Sequence, residues 1–429
     1  MKQIDHVGAL DVAIQLDSEL IKVGKLAWRT RERRSYFEYA PEAIERRLLL
    51  SPFNLKLEGG VQAAPNAPFE GLHGIFNDSL PDGWGRKLLD RRLQRMGYDF
   101  TTLSPLDRLS YVGTTGMGAL RYTPAGALKE VADKTIDLDW LAKQAELVDG
   151  EMDAADIDGL QAAQGGLGGV RPKIVVGYDK TNGRLIQDRN EGLSAGYEAW
   201  LVKFRADSDP REIGAEEYAY SLMAGAAGVD MAETALLKGA SGVGYFAARR
   251  FDRGAKGPIH IHTLSGLLHA DHRAPQVDYS MLLKATRLLT RDQRHVERMF
   301  RRMAFNVFAR NRDDHSKNHA FQMDAAGTWS PTPAYDLTFS IGPGGEHNMA
   351  IAGEGRTPGR GHVLEEARTA GIKESAATEI IDEVREAVDA WPQFAEEAGL
   401  SQRRTAELDF VLNDRGVPPK HDVKATAQS

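Results

Sequence analysis

Asp313 and Asn318 stand five positions apart in the run Asn311-Arg312-Asp313-Asp314-His315-Ser316-Lys317-Asn318, and a further carboxylate follows in Tyr335-Asp336-Leu337. Kinase catalytic loops carry these residue types in this order and spacing. The chemistry dictates the types. One carboxylate must orient and deprotonate an attacking hydroxyl, while an amide oxygen and a second carboxylate hold Mg²⁺ against the phosphates of ATP. All three side chains offer oxygen, the donor a hard cation prefers. An isolated match of this kind is more often a solvated polar loop, so the surrounding elements decide its weight.

Those elements agree with the chemistry. His319 to Met323 reads as a strand, Asp324-Ala325-Ala326-Gly327 as a turn and Thr328-Trp329-Ser330 as the returning strand, a hairpin that brings Asp336 back beside Asn318. Upstream, Gln164-Gly165-Gly166-Leu167-Gly168-Gly169-Val170-Arg171-Pro172-Lys173 leads into the strand-like Ile174 to Tyr178. Gly168 and Gly169 would let backbone N–H groups approach phosphate oxygens closely, although a flexible linker explains the glycines equally well. The P-loop pattern is absent, because Arg171-Pro172-Lys173 replaces its required ending. Tyr197 to Phe204 is a second strand, with Lys203 set among apolar neighbours where its ammonium can neutralise phosphates. A helix over Glu212 to Gly228 follows, and either Glu216 or Glu217 can pair with Lys203. The strand Tyr245 to Arg253 then leads to a mostly helical half, the place where a kinase hinge holds adenine.

Helices are expected over Tyr279 to Leu289 and Arg291 to Ala309, the second delivering the catalytic run, and again over 374–397 and 401–412. Nearer the N-terminus, alternating apolar and polar positions between Ala9 and Ala40 predict a small antiparallel sheet, and Leu88, Leu89 and Leu93 mark an amphipathic helix over Gly83 to Met96. The divisions expected are an α+β subdomain over 1–125, a nucleotide-binding lobe over 126–253, a helical catalytic lobe over 254–415 and a disordered tail over 416–429.

Composition sets the exclusions. The chain has 429 residues, 42% hydrophobic and 27% charged, ordinary for a globular protein of two or three domains. There is no cysteine, which rules out disulfides, thiol nucleophiles and thiolate-bound metals. No apolar signal core or membrane-length run is present, so a cytoplasmic protein is expected. A net charge of −7 argues against broad nucleic-acid binding; the arginines between Arg29 and Arg34, with Arg46 and Arg47, are the candidate basic face, although a solvated surface is the commoner meaning of such a cluster.

With these residues in place, the chain resembles the HipA family of bacterial toxin-type serine/threonine kinases along nearly its full length. The resemblance rests on Phe76-Asn77-Asp78-Ser79-Leu80-Pro81-Asp82-Gly83, the Gly168 to Lys173 segment, Val202-Lys203-Phe204, Arg250-Phe251-Asp252-Arg253, Asp313 to Asn318 and Pro333-Ala334-Tyr335-Asp336-Leu337. It implies a kinase-like two-lobed α+β fold with a small N-terminal subdomain and a mostly helical C-terminal lobe. It implies that Asp313 is the catalytic base, that His315 and Lys317 assist at the phosphates and that Asn318 and Asp336 bind Mg²⁺. Lys203, Gly168, Gly169 and Lys173 would lie on the ATP phosphates, and Arg249, Phe251 and Asp252 at the adenine hinge, the first two through their main chains. The implied partners are a HipB-like helix-turn-helix antitoxin, through which alone DNA is contacted, and a protein substrate of the translation machinery such as an aminoacyl-tRNA synthetase. Two alternatives stand beside this reading: a small-molecule kinase, and a catalytically idle co-repressor bound to the antitoxin. One departure is visible. Family members that inactivate themselves phosphorylate a serine in the glycine-rich loop; here Gly166 takes its place, and no Ser or Thr lies between Glu151 and Ile174. Restraint by a partner is therefore expected in place of self-inactivation.

Overall fold

In the computed structural model the residues described are 5–81, 83–125, 136–146, 171–188 and 193–413. Asp82, the loop glycines Gly166, Gly168 and Gly169, and the tail 416–429 lie outside them.

The N-terminal alternation forms a five-stranded antiparallel sheet of β1 (Ala9–Leu16), β2 (Glu19–Arg29), β3 (Arg34–Tyr39), β4 (Val61–Ala63) and β5 (Leu120–Thr123), in the order β4-β3-β2-β1-β5. Leu10, Val12, Ile14 and Leu16 recur every second residue and turn to one buried face. Helices Gly83–Arg95 and Pro105–Val112 lie between β4 and β5. The second opens on a capping box between Ser104 and Asp107, and Asp107 also accepts the Val7 N–H at 2.7 Å. Part of the basic cluster is neutralised locally: Arg29 pairs with Glu32, and Arg46 with Glu19 at 2.7 Å. Those arginines form the solvated surface rather than a free cationic face.

This subdomain shares one hydrophobic core with the helical lobe, a continuous cluster running from Leu10 to Leu412. At the joint, backbones come within touching distance. A Cβ added to Gly74 would lie 2.0 Å from the Gly266 carbonyl oxygen, so the contact requires glycine. Beside it, the Asp78 carboxylate accepts from His262 Nδ1 at 2.7 Å and from the Thr263 N–H and hydroxyl, both at 2.8 Å. Ser51 Oγ lies 2.9 Å from His262 Nε2, completing a Ser-His-Asp chain. The order is that of a hydrolase triad, but Ser51 and His262 are sealed from solvent at 2% and 0% exposure, so the chain serves as a polar bolt between subdomain and lobe.

The second sheet has the order β7-β6-β8-β10-β9, built from β6 (Lys173–Asp179), β7 (Arg184–Gln187), β8 (Glu198–Lys203), β9 (Thr234–Lys238) and β10 (Gly244–Arg249), all antiparallel. Trp200, Val202, Tyr245 and Ala247 turn to one face and build a separate small core with Ile174 and Val176. The opposite face, bearing Leu201, Lys203, Phe246 and Ala248, borders a cleft. Helix Ile213–Ala226 packs against β9 and β10.

A short ribbon of β11 (Arg253–Gly254) and β12 (Gly257–Pro258) leads into a three-stranded sheet of β13 (His260–Thr263), β14 (Ala320–Met323) and β15 (Trp329–Pro331). The other long elements of this lobe are helices: Tyr279–Thr290, Gln293–Phe308, Arg360–Thr369, Glu374–Asp389, Trp391–Glu397 and Gln402–Leu412. The single helix expected over 374–397 is broken at Ala390. Pro392 has no N–H to give an internal turn, so it starts a new helix in place of continuing the old one. The architecture is α+β, with the N-terminal subdomain and the largely helical C-terminal lobe expected from the sequence.

Candidate active site

Helix Gln293–Phe308 hands the chain to the candidate catalytic run, which is bracketed by two non-glycine residues in the left-handed region, Arg310 at φ 55° and Asp336 at φ 53°. Such conformations carry strain of order 1–3 kcal/mol and persist where the surroundings impose them. Between the brackets, Ser316–Asn318 forms one 3₁₀ turn. Asn318 Nδ2 donates to the Asp313 carbonyl at 2.7 Å, leaving its Oδ1 for a cation. Asp313 itself stands at the rim with 60% of its side chain exposed, and His315 Nε2 lies 3.9 Å from its carboxylate. Desolvation within the cleft walls pushes the Asp313 carboxyl above its ordinary value, against the pull of His315 and with the repulsion of Asp336. Tyr335 donates its hydroxyl to the Lys317 carbonyl at 2.6 Å, tying the loop to the segment that carries Asp336.

The hairpin does what the sequence asked of it. β14 and β15 pair Phe321 with Pro331 and Met323 with Trp329, and Asp324 caps the turn by accepting the Ala326 and Thr328 N–H groups. Asp336 thereby returns to the cleft. Its Oδ1 lies 2.5 Å from Lys203 Nζ, and Lys203 also donates to Glu217 Oε1 at 3.2 Å. Glu217 therefore fills the place for which Glu216 and Glu217 were equal candidates. Lys173 sits opposite Lys203 in the β6–β8 register, so the two side chains project from the same face of the sheet. Arg171 bridges Glu217 at 2.5 Å and Asp209 at 3.2 Å. Burial alone would depress the Lys203 ammonium, but Asp336 and Glu217 hold it above its ordinary value. Burial likewise opposes the Asp336 charge, yet Lys203, Lys173 and Arg171 hold its carboxyl well below the usual carboxylate range. The site thus presents a charged carboxylate beside fixed cations, the arrangement a metal-bridged polyphosphate needs.

Behind these charges lies an apolar pocket walled by Leu201, Met231, Phe246, Ala248 and Leu337. It is closed by Phe251, whose ring stacks on Tyr335 with centroids 5.5 Å apart. Of the three hinge candidates, Arg249 spends its N–H on the Glu233 carbonyl at 2.8 Å, so an adenine contact from its main chain has to come from its carbonyl. Phe251 keeps its N–H free of any hydrogen bond among the described residues. Asp252 lines the same pocket, but its carboxylate is engaged by Arg250 at 2.8 Å, Arg253 at 2.6 Å and the Gly118 N–H at 2.9 Å. It ties the hinge to the N-terminal subdomain, and what it can turn to a nucleotide is backbone.

Among the described residues no three His, Asp or Glu side chains form a metal cage. One carboxylate, Asp336, and one amide, Asn318, suit a small cation that takes its other ligands from phosphate and water, as Mg²⁺ does. The residues present therefore fit ATP and Mg²⁺.

Sequence reasoning passed over two residues that shape the site. Arg171 was visible only as a failed P-loop ending, yet it sits on Glu217. Asp314, wholly buried, accepts from Tyr279 Oη at 2.7 Å, His347 Nδ1 at 2.8 Å and the Asn348 N–H at 2.8 Å. Its signal was the paired carboxylates Asp313-Asp314, which point to opposite sides of the loop.

Residues 165–391 match the HipA-like C-terminal domain and residues 14–123 the HipA N-terminal domain. A search of curated proteins returns no match. The fold is similar to a chain of the Shewanella oneidensis MR-1 toxin–antitoxin complex of HipA, HipB and operator DNA, with TM-score 0.66 and 18% identity over 95% of this chain and 96% of that one. A proinflammatory kinase of Helicobacter pylori, CtkA, aligns over 51% of this chain and 86% of its own with TM-score 0.35 and 12% identity. Two domain matches in the family's order, the first covering more than half of the chain, are decisive: the chain belongs to the HipA family.

Proposed function

We propose that this protein is a Mg²⁺/ATP-dependent serine/threonine protein kinase acting as the toxin of a HipA/HipB-like toxin–antitoxin module. What supports the reading is the meeting of Lys203, Glu217 and Asp336 in one cleft, with Asp313, whose carbonyl Asn318 binds, near enough for its carboxylate to be repelled by Asp336. Asp313 accepts the proton of the acceptor hydroxyl. Lys203, Lys173 and the main chain of Gly168 and Gly169 hold the phosphates, with His315 and Lys317 assisting from the catalytic loop. The adenine enters the apolar pocket and meets the Phe251 N–H and the Arg249 carbonyl, with Asp252 fixing the hinge. Asn318 and Asp336 hold Mg²⁺, which when bound supplies charge neutralisation at the transferred phosphoryl group.

The acceptor belongs to the translation machinery, with an aminoacyl-tRNA synthetase as the leading substrate class. The regulatory partner is a helix-turn-helix antitoxin that alone grips DNA, a division of labour suited to a chain of charge −7. Residues 1–125, 126–253 and 254–415 serve as coupling subdomain, nucleotide lobe and catalytic lobe. The site of action is the cytoplasm, in keeping with the finding that no helix among the described residues is long and apolar enough to cross a membrane. The test is a phosphoproteome comparison of bacteria expressing the wild-type chain or Asp313→Ala. The reading predicts a small set of serine or threonine phosphosites on translation proteins present only with the wild type. Identical phosphoproteomes from cells in which both proteins accumulate would contradict it.

A further inference from the structure

Glu217 reaches Lys203 only while helix Ile213–Ala226 keeps its position, and on the side away from β9 and β10 the residues that fix that helix come from the far end of the chain. Glu216, one position before Glu217 and only 1% exposed, points away from the cleft and receives Arg404 through Nε at 2.9 Å and Nη2 at 2.8 Å. Arg404 lies on the last helix, Gln402–Leu412, and its third contact is Glu407 at 3.2 Å. One turn before Glu216, at the N-cap of the Ile213–Ala226 helix, the Glu212 side chain caps no N–H of that helix. Its two carboxylate oxygens instead accept the Ser401 N–H at 2.7 Å and the Ser401 hydroxyl at 2.8 Å. One turn later, Tyr220 packs on Trp391, with ring centroids 5.2 Å apart, and Trp391 Nε1 donates to the Thr405 carbonyl at 3.1 Å. Tyr220 also donates to the Ala309 carbonyl at 3.0 Å, at the end of the helix that leads into the catalytic run.

These contacts lie along one face of the helix, at Glu212, Glu216 and Tyr220, spaced four apart as a single helical stripe requires. The neighbouring residue Glu217 is turned about 100° away, toward Lys203. Arg404 closes two nitrogens on the one buried oxygen Oε2 of Glu216, and with the Glu212 and Tyr220 contacts one turn to either side it fixes rotation about the helix axis as well as position, which a single contact would not.

We propose that the C-terminal helix is a built-in clamp on the nucleotide site, with Arg404 as a positioning residue that holds the Ile213–Ala226 helix in the rotation that sets Glu217 on Lys203. The clamp rests on the kinase reading, and it adds a means of regulation: a partner or a truncation that lifts residues 401–412 would part Glu217 from Lys203 without touching the cleft. Arg404 touches neither nucleotide nor acceptor, so its effect has to pass through Glu217.

That dependence supplies the test. The full-length wild type, Arg404→Gln, Glu217→Gln and the double variant are titrated calorimetrically with Mg²⁺ and the non-hydrolysable analogue AMP-PNP, with circular dichroism to check the fold. The clamp predicts about tenfold weaker binding for Arg404→Gln, partial recovery for Arg404→Lys, and a double variant no weaker than Glu217→Gln alone. Arg404→Gln within twofold of wild type, or a double variant whose losses multiply, would overturn it. Should Arg404→Gln fail to fold, the milder Glu212→Gln, which weakens the same clamp at Ser401, is expected to cost about threefold, and unchanged affinity there overturns the clamp equally. A wild-type chain that binds no AMP-PNP would refute the kinase reading and the clamp with it, whereas tight wild-type binding with multiplying losses refutes the clamp alone.

Discussion

Asp314→Asn is a near-isosteric change beside the proposed catalytic base, and its cost can be worked from the structure. Asp314 Oδ2 accepts from Tyr279 Oη at 2.7 Å and His347 Nδ1 at 2.8 Å, and Oδ1 accepts the Asn348 N–H at 2.8 Å. The residue is 0% exposed, so no solvent replaces a lost partner. Asparagine can keep its oxygen toward Tyr279 and His347, but its NH₂ then faces the Asn348 N–H, donor against donor. One hydrogen bond to a charged group is lost, at about 1.5–3 kcal/mol, and the other two weaken from charged to neutral strength, at roughly 1 kcal/mol each. The sum is about 4 kcal/mol, a large share of the roughly 5–15 kcal/mol that holds a typical protein folded. Urea denaturation followed by tryptophan fluorescence should show the midpoint fall with the slope unchanged. Because Asn348 also donates to the Arg312 carbonyl at 2.9 Å, the loop that carries Asp313 loosens, and phosphotransfer should drop even where the variant remains folded. A loss below about 1 kcal/mol would refute the reasoning that this network is fully engaged.

Other perturbations follow from the same geometry. Asp336→Asn should weaken Mg²⁺-ATP binding about tenfold, roughly 1.4 kcal/mol, by removing one carboxylate from the metal site; unchanged affinity would count against Asp336 as a ligand. Asp78→Ala strips the acceptor from His262 and Thr263 at the sealed joint and should cost about 3–5 kcal/mol, read as a lower urea midpoint; a loss under about 1 kcal/mol would show that the joint does not depend on the bolt. Burial pushes His73, helped by His269, and His260 from the ordinary 6.5 down to about 4. Between those values the unfolded chain binds more protons than the folded one, so the stabilisation is whole above pH 6.5 and is lost as the pH falls toward 4, at roughly 3 kcal/mol for each group. His260→Gln should flatten the stability profile across that window, and an unchanged slope would exclude His260 as a source.

How much of this was legible in the sequence follows from the range over which each signal acts. The N-terminal sheet was visible because Val12, Ile14 and Leu16 alternate with polar neighbours, and the β14–β15 hairpin because its strands flank Asp324 and Gly327. Both are local patterns. The choice between Glu216 and Glu217 was not legible: adjacent helical residues differ by about 100° of rotation, and only the packed helix shows which one faces Lys203. Arg404 lies 188 residues from its carboxylate partner, a distance no periodicity spans. Asp252 has two local partners, Arg250 and Arg253, but its third, the Gly118 N–H, lies 134 residues away and reaches it only when the N-terminal subdomain docks. The break before Pro392 was local and readable from the proline itself, although 374–397 was expected as one helix.

The most direct test of the phosphotransferase reading is the transfer of labelled γ-phosphate from ATP into a bacterial lysate, with the wild-type chain and Asp313→Ala run side by side. The account predicts a discrete labelled protein band, carrying phosphoserine or phosphothreonine, that is present with the wild type and absent with the variant. Equal labelling by both, or no labelled protein from a wild-type chain that binds Mg²⁺-ATP, would contradict it.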